Sequence, residues 1–513
     1  MTRPVWERLR TEGPRAPLIL AAAAGLSTAL WPAPTVLVDY PNHLARAHIL
    51  AHLGDTPALA EHYAVDAQPS SPKLRLDAVL VPLTRLFGSD IAAALGVTLV
   101  LVALTGATLL LDRVLNGRVR WGSAAVLLVL FNALLAWGNI NYLLGLAGVL
   151  SVLSGWIATE SWPVFRRLAV FALASTLLFL LHVVAAGVWA MLVAAYELGR
   201  LARDRNAWTG LLPGALQFLP AAVLWVVAPH SMYLYEVSGT RWGTLAEHLL
   251  ALASPFSFDV WLGRFGSPTA LADWLTTLVV LGGLAWGAVS RRLVIDRRLW
   301  APLLLGLAFT LTVPVFLNGL WPSHLRLPTL MACLLAAGST VRWPAPRLAG
   351  AVLVGLLALR LATLVPQMTA CGASVAELHD AFALMPQGAR VLPVLDGRRN
   401  DALCKPWQSF SHIASLAVID RNAFVPIVFW ENTLLDLRDP VWKTTGDKRT
   451  VSPDQLRSGA SAAVNPAEYW TGWPGRFDHV LWLHLGGAVD PLPDGLNALY
   501  QGRAFTLYRA SVK

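Results

Sequence analysis

Charge is what this chain has least of. Asp, Glu, Lys and Arg make up 14% of its 513 residues, where soluble proteins carry about 25%, and that scarcity excludes a soluble globular fold. Cysteine is almost missing as well. Three residues, Cys333, Cys371 and Cys404, cannot build a disulfide framework. Cys333 lies in an apolar run, whereas Cys371 and Cys404 can pair if their region is outside the cytoplasm. No Gly-x-Gly-x-x-Gly, no Walker loop and no Cys/His zinc spacing occurs. There is also no internal repeat of the kind seen in secondary transporters. The formal charge of +9 does not imply nucleic acid as a partner, because the Arg residues are scattered through short loops instead of being gathered on one domain.

What is present is apolar. Hydrophobic residues reach 56% and Trp reaches 22 residues, and the mean hydropathy is +0.54. Many tryptophans (Trp31, Trp121, Trp137, Trp162, Trp300, Trp321, Trp343) stand at the ends of apolar runs, the pattern of a membrane-interface belt. A membrane-crossing helix needs about 20 apolar residues. Eleven segments qualify: 17–38, 91–111, 121–137, 142–158, 168–182, 183–199, 211–229, 274–290, 299–317, 325–340 and 348–365. The first is long for a signal-peptide core and lacks a small-x-small site before Asp39, so it reads as an uncleaved helix. A single helix over 168–199 would be about 48 Å long at 1.5 Å per residue, too long for a ~30 Å hydrocarbon core. It is therefore expected to turn back at His182.

Arginine placement orients these crossings. The N-terminal tail (Arg3, Arg8, Arg10, Arg15) and the short loops bearing Arg113, Arg118 and Arg120, Arg166 and Arg167, Arg200, Arg203 and Arg205, Arg291, Arg292, Arg297 and Arg298, and Arg342 and Arg347 all fall on one side. By the positive-inside rule that side is cytoplasmic. Residues 1–365 thus read as a polytopic α-helical membrane domain with outer loops 39–90 and 230–273, the second carrying an amphipathic stretch at 245–252. Residues 366–513 change period. Strands are expected at 389–395, 424–430, 477–485 and 504–509, and helices at 374–384, 409–420 and 495–500, which makes a small extracytoplasmic α/β domain. The fold class is mainly α.

This topology gathers the unusual polar residues on the outer face: Asp39, His43, Arg46, Asn139, Asn141, His182, His230, His324, Arg326 and, near the outer end of the last span, Arg360. Asp39 stands in Val38-Asp39-Tyr40-Pro41-Asn42-His43-Leu44-Ala45-Arg46, directly after the first apolar run. A carboxylate there can act as a general base, help to hold a divalent metal, or cap the helix that Pro41 opens. Ser or Thr would cap as well without a charge near lipid, which favours a functional role. His43 and Arg46 share one face of that helix. Arg46, Arg326 and Arg360 suit a phosphate, although Arg326 and Arg360 are also placed to act as snorkelling anchors. Asn141 fits turn chemistry, and His182 fits a helix end. His48 and His52 have metal-ligand spacing but no acidic partner, and they read as a solvated face.

The layout resembles the GT-C superfamily of membrane glycosyltransferases: an outward Asp39 after the first helix, a partly helical first loop, two short helices, a late outer loop and a C-terminal outer domain. The resemblance implies a polyprenyl-phosphate-linked sugar as donor and an acceptor hydroxyl on a glycan, lipid or protein. Asp39 would be the catalytic base, or a metal ligand as in metal-dependent members. Family members often pair two acids in this loop, whereas Asp-Tyr-Pro-Asn-His has one, so a divalent metal cofactor stays an open question. His43 or His324 would orient the base or the acceptor, and Arg326 with Arg46 or Arg360 would neutralise the departing phosphate. A lipid-linked-substrate flippase and a non-catalytic membrane scaffold are the alternatives.

Overall fold

The computed structural model describes residues 15–66, 76–227, 239–259, 266–317, 321–396, 410–429, 433–439, 442, 450–460, 468–485 and 493–511. His230, Cys404 and parts of both expected outer loops lie outside these residues.

Among the described residues, seven helices are long and apolar enough to cross a membrane: Ser89–Asn116, Ile140–Ala158, Val164–Leu181, Val183–Arg203, Trp208–Val227, Pro268–Val289 and Pro346–Phe382. Three shorter apolar helical stretches, Arg15–Leu30, Trp121–Ala136 and Trp300–Thr312, accompany them. The helix Arg326–Gly338 has 13 residues, about 20 Å at 1.5 Å per residue, so on its own it is shorter than a ~30 Å core. Trp31, Trp121, Trp300, Trp321 and Trp343 keep their rings at the surface, as interface anchors do.

The break at His182 is where the length argument puts it. Val164–Leu181 ends, His182 turns extended (φ −164°, ψ 111°), and its Nδ1 accepts from the Val184 N–H to cap Val183–Arg203. The span expected at 121–137 is not one regular helix. Trp121–Val129 is 3-10, and a separate turn Ala133–Ala136 is capped by Asn132, whose side-chain oxygen accepts from Leu135 N–H. Asn132 is the cause, because a cap residue inside an apolar run starts a new helix. The break frees backbone carbonyls in an apolar interior, where they need donors. Arg360 supplies them, donating to the oxygens of Leu128 and Phe131 while pairing with Asp273 at 3.0 Å. Arg360, expected as a phosphate ligand, is instead a structural tie.

The expected boundary at 365–366 falls inside a helix. Pro346–Phe382 runs for 37 residues through Pro366 and merges the last span with the helix expected at 374–384. Beyond it lies a four-stranded sheet in the order Val391–Leu395, His479–Leu483, Thr506–Ala510, Leu496–Gln501, with the first pair parallel and the others antiparallel. Residues 495–500, read as helix, form the edge strand Leu496–Gln501 instead. Pairing with Thr506–Ala510 outweighs local propensity there. The strand expected at 424–430 is reduced to one bridge, Arg390 to Phe424, and 409–420 is helical only from Ile413. Cys371 is disulfide-bonded and Cys333 is free and buried; Cys404, its expected partner, falls outside the described residues.

The sheet region is keyed to the helix Tyr40–His52. Asn42 donates to Ile427 O (3.1 Å) and accepts from the Ser415 hydroxyl. His48 meets Asn422 at 3.1 Å, and Tyr63–Val65 pairs antiparallel with Leu435–Leu437. Replacing Arg360 by Met would strand Asp273 and two carbonyls in the interior. Thermal unfolding in detergent should then show a loss of about 3–5 kcal/mol, the cost of breaking a buried pair; wild-type stability would contradict the structural role.

Candidate active site around Asp39 and Arg326

Asp39 occupies the N-cap position of Tyr40–His52, yet its side chain makes no capping hydrogen bond. The bland reading of this carboxylate therefore does not hold. Its backbone is fixed from below by the turn after Ala133–Ala136: Val38 N–H donates to Ala136 O (3.1 Å) and Asp39 N–H to Trp137 O (3.3 Å). Gly138, at φ +74°, lies so close that a Cβ there would stand 2.5 Å from the Asp39 nitrogen. Only glycine accommodates both that backbone angle and that approach. The carboxylate keeps 30% of its surface and faces His412 Nε2 at 3.5 Å. Burial pushes its pKa up to about 7, and the positive charge of Arg326 pulls against that rise.

Arg326 is the second member. Of the arginines buried in this structure (Arg46, Arg167, Arg326 and Arg360), three pair with carboxylates: Arg46 with Asp77 (2.8 Å), Arg167 with Glu197 (3.6 Å) and Arg360 with Asp273 (3.0 Å). Arg326 does not. Among the described residues its Nε and Nη1 have no hydrogen-bond partner, and its Nη2 reaches Asn139 Oδ1 only at 3.4 Å. It opens the helix Arg326–Gly338, where the macrodipole is itself positive. A cation at that end is repelled unless an anion sits between it and the helix terminus. Tyr142 holds it in place: its hydroxyl donates to Arg326 O (3.0 Å), and the guanidinium carbon lies 4.9 Å from the ring centre. His182 packs edge-on against Tyr142 at 5.5 Å.

The other expected residues have different work. Arg46 is locked on Asp77 by Nε and Nη2 and contacts His43 Nδ1 at 3.2 Å, so neither residue is turned to Asp39. Asn141 accepts from Leu76 N–H at 2.8 Å. His324 faces His248 (5.9 Å) and Trp321 (6.2 Å), and burial holds it down to about 4, so it is neutral at physiological pH. Sequence reasoning missed Tyr142 and His412. Tyr142 sits one turn after Asn139 on the same helix, which is a usable signal; nothing in the sequence connects His412 to Asp39.

Among the described residues no group of three or more His, Cys, Asp or Glu side chains converges as a metal site. A lone carboxylate beside a guanidinium does not fit a divalent cation, which takes several oxygen ligands. Two cavities, of about 400 and 340 Å³, lie elsewhere. Glu197 and Phe218 line the first; Arg241, Phe316 and Trp321 line the second. Neither includes Asp39, and the chemistry favours the Asp39 site over both. No family model, curated protein or solved structure matches this chain.

The raised pKa has a consequence for stability. The folded protein holds the Asp39 proton up to about pH 7, whereas an ordinary carboxyl releases it near 3.8. Between those values the native state binds the extra proton, so Asp39 lowers stability as pH rises. Asp39→Asn should therefore melt at a higher temperature than wild type at pH 8 and at the same temperature near pH 4. A variant less stable at pH 8 would contradict this.

Proposed function

We propose that the protein is an integral membrane glycosyltransferase that moves a sugar from a polyprenyl-phosphate donor to an acceptor hydroxyl on the outer face of a plasma membrane of bacterial type. The observation that carries this reading is the pairing of an uncapped, half-buried Asp39 with a buried, unpaired Arg326. One is a base with a pKa near the working pH, the condition for efficient general-base catalysis. The other is a cation prepared for an anion that the protein does not itself supply.

In the proposed reaction Asp39 takes the proton of the acceptor hydroxyl as that oxygen attacks the anomeric carbon. The bond from that carbon to the phosphate oxygen breaks, with inversion, and the electron pair leaves with the lipid phosphate. Arg326 Nε and Nη1 meet the growing negative charge. Tyr142 and Asn139 hold the guanidinium, and Gly138 lets the base approach. Arg46 and Arg360 have no part in it, since carboxylates already neutralise both.

With the N-terminus cytoplasmic and the first apolar helix crossing the membrane, this site would lie at the outer interface, as it would in an eleven-crossing topology with an extracytoplasmic C-terminal region. The arginine-rich N-terminal tail supports that orientation. A disulfide at Cys371 fits an oxidising compartment. A scaffold gives no reason for leaving a buried arginine unpaired, and a flippase, which could use the cation for a lipid phosphate, gives none for a carboxylate with its pKa near 7 beside it.

The test is to incubate the purified protein with a panel of polyprenyl-phosphate sugars and acceptors and to measure release of free lipid phosphate. Asp39→Asn should lose roughly 10²–10⁴-fold in rate, the usual contribution of a general base, and Arg326→Gln a comparable factor. The base must be ionised, so the wild-type rate should fall as pH drops through about 7. Full activity in Asp39→Asn would remove Asp39 from the mechanism.

A further inference from the structure

We infer that His412 is a positioning residue for Asp39, so that the segment beyond the last long helix completes a site whose other members come from the membrane part of the chain. This inference rests on the proposed role of Asp39 as a base, and it assigns to the C-terminal region a task that the transfer reaction alone does not require.

Two independent features support it. The first is the contact itself. His412 Nε2 lies 3.5 Å from Asp39 Oδ1, longer than a formed hydrogen bond but within the range that tightens when a substrate closes the site. Its other ring nitrogen, Nδ1, is buried with no partner among the described residues. Burial holds the imidazole near 4, so it is neutral, and a neutral ring carries one N–H. Placing the hydrogen on Nε2 faces it to the carboxylate, whereas placing it on Nδ1 would orphan a donor and set a lone pair against Asp39. The second feature is the mounting. His412 packs edge-on against Phe429 at 5.1 Å, and Phe429 packs against His43 at 5.7 Å. The Phe429 carbonyl also meets Arg46 Nη1 at 3.4 Å. Together with Asn42 to Ile427 and Ser415 to Asn42, this fixes the 412–429 segment to the same helix that Asp39 opens.

The charged and titratable groups facing Asp39 are Arg326, from the helix Arg326–Gly338, and His412. His43 and Arg46, on Asp39's own helix, are engaged with each other and with Phe429 and Asp77, and the turn after Ala136 brings only the neutral Asn139. An Nε2–H at His412 would therefore steer one carboxylate oxygen and favour the ionised form, leaving the other oxygen for the acceptor.

The experiment needs no donor. Dicyclohexylcarbodiimide adds to protonated carboxyls, and the pH at which half of Asp39 is labelled, read by mass spectrometry, reports its ionisation. We expect half-labelling near pH 7 in the wild-type protein, a rise of about one pH unit in His412→Phe, and a return to within a few tenths in His412→Gln, which restores an N–H. An unchanged midpoint in a folded His412→Phe overturns the inference. If that variant does not fold, nitrogen NMR of the wild-type protein decides. A neutral Nε2–H ring whose shift follows the Asp39 titration supports the inference; an Nδ1–H ring, or one indifferent to Asp39, overturns it. A shifted midpoint without transfer on any donor leaves the positioning role standing and removes the glycosyltransferase reading; transfer with an unmoved midpoint does the reverse.

Discussion

An arginine buried without a counter-charge is the feature on which the rest of this structure turns. Removing a guanidinium from water is costly unless a carboxylate compensates it, and elsewhere the chain obeys that rule: Arg46, Arg167 and Arg360 each meet an acid. Arg326 lies at the positive end of a helix with two nitrogens unpartnered. The positive charge of Arg326 opposes the burial that raises the pKa of Asp39, but the two form no ion pair among the described contacts. Such an arrangement is what the proposed phosphate-binding role requires.

The surrounding architecture serves that gap. Gly138 admits the Asp39 backbone, Tyr142 clamps the start of the Arg326 helix, and the broken run at Trp121–Ala136, stabilised through Arg360, forms the turn that carries both. The region of the four-stranded sheet is tied to the helix Tyr40–His52 through Asn42 and His48 and to the strand Tyr63–Val65 through Tyr63, so Asp39 and that region form one unit. Arg46, Arg167 and Arg360 on the one hand and Arg326 on the other thus differ in their electrostatics, and that contrast separates them where residue type does not.

Much of this was legible in the sequence. Asp39 stood out because a carboxylate at a lipid boundary needs a reason, Arg326 because of its place beside a short loop, and the turn at His182 because a 32-residue apolar helix would overrun the bilayer. What failed were matters of partnership. Arg46 and Arg360 looked equal to Arg326, since Asp77 and Asp273 are distant in sequence and only the fold brings them together. Asn132 was hidden inside an apolar run, so a broken segment read as one span. The edge strand Leu496–Gln501 has helix-forming residues, and only its neighbour makes it a strand. His412 carries no local signal at all, because its meaning lies in a contact across most of the chain.

The most direct test of the central claim is a cryo-electron microscopy structure of the protein in lipid nanodiscs with a polyprenyl phosphate added. The account predicts phosphate density within hydrogen-bonding distance of Arg326 Nε and Nη1, on the side facing Asp39. Phosphate bound elsewhere, or Arg326 found paired with a protein carboxylate, would contradict it.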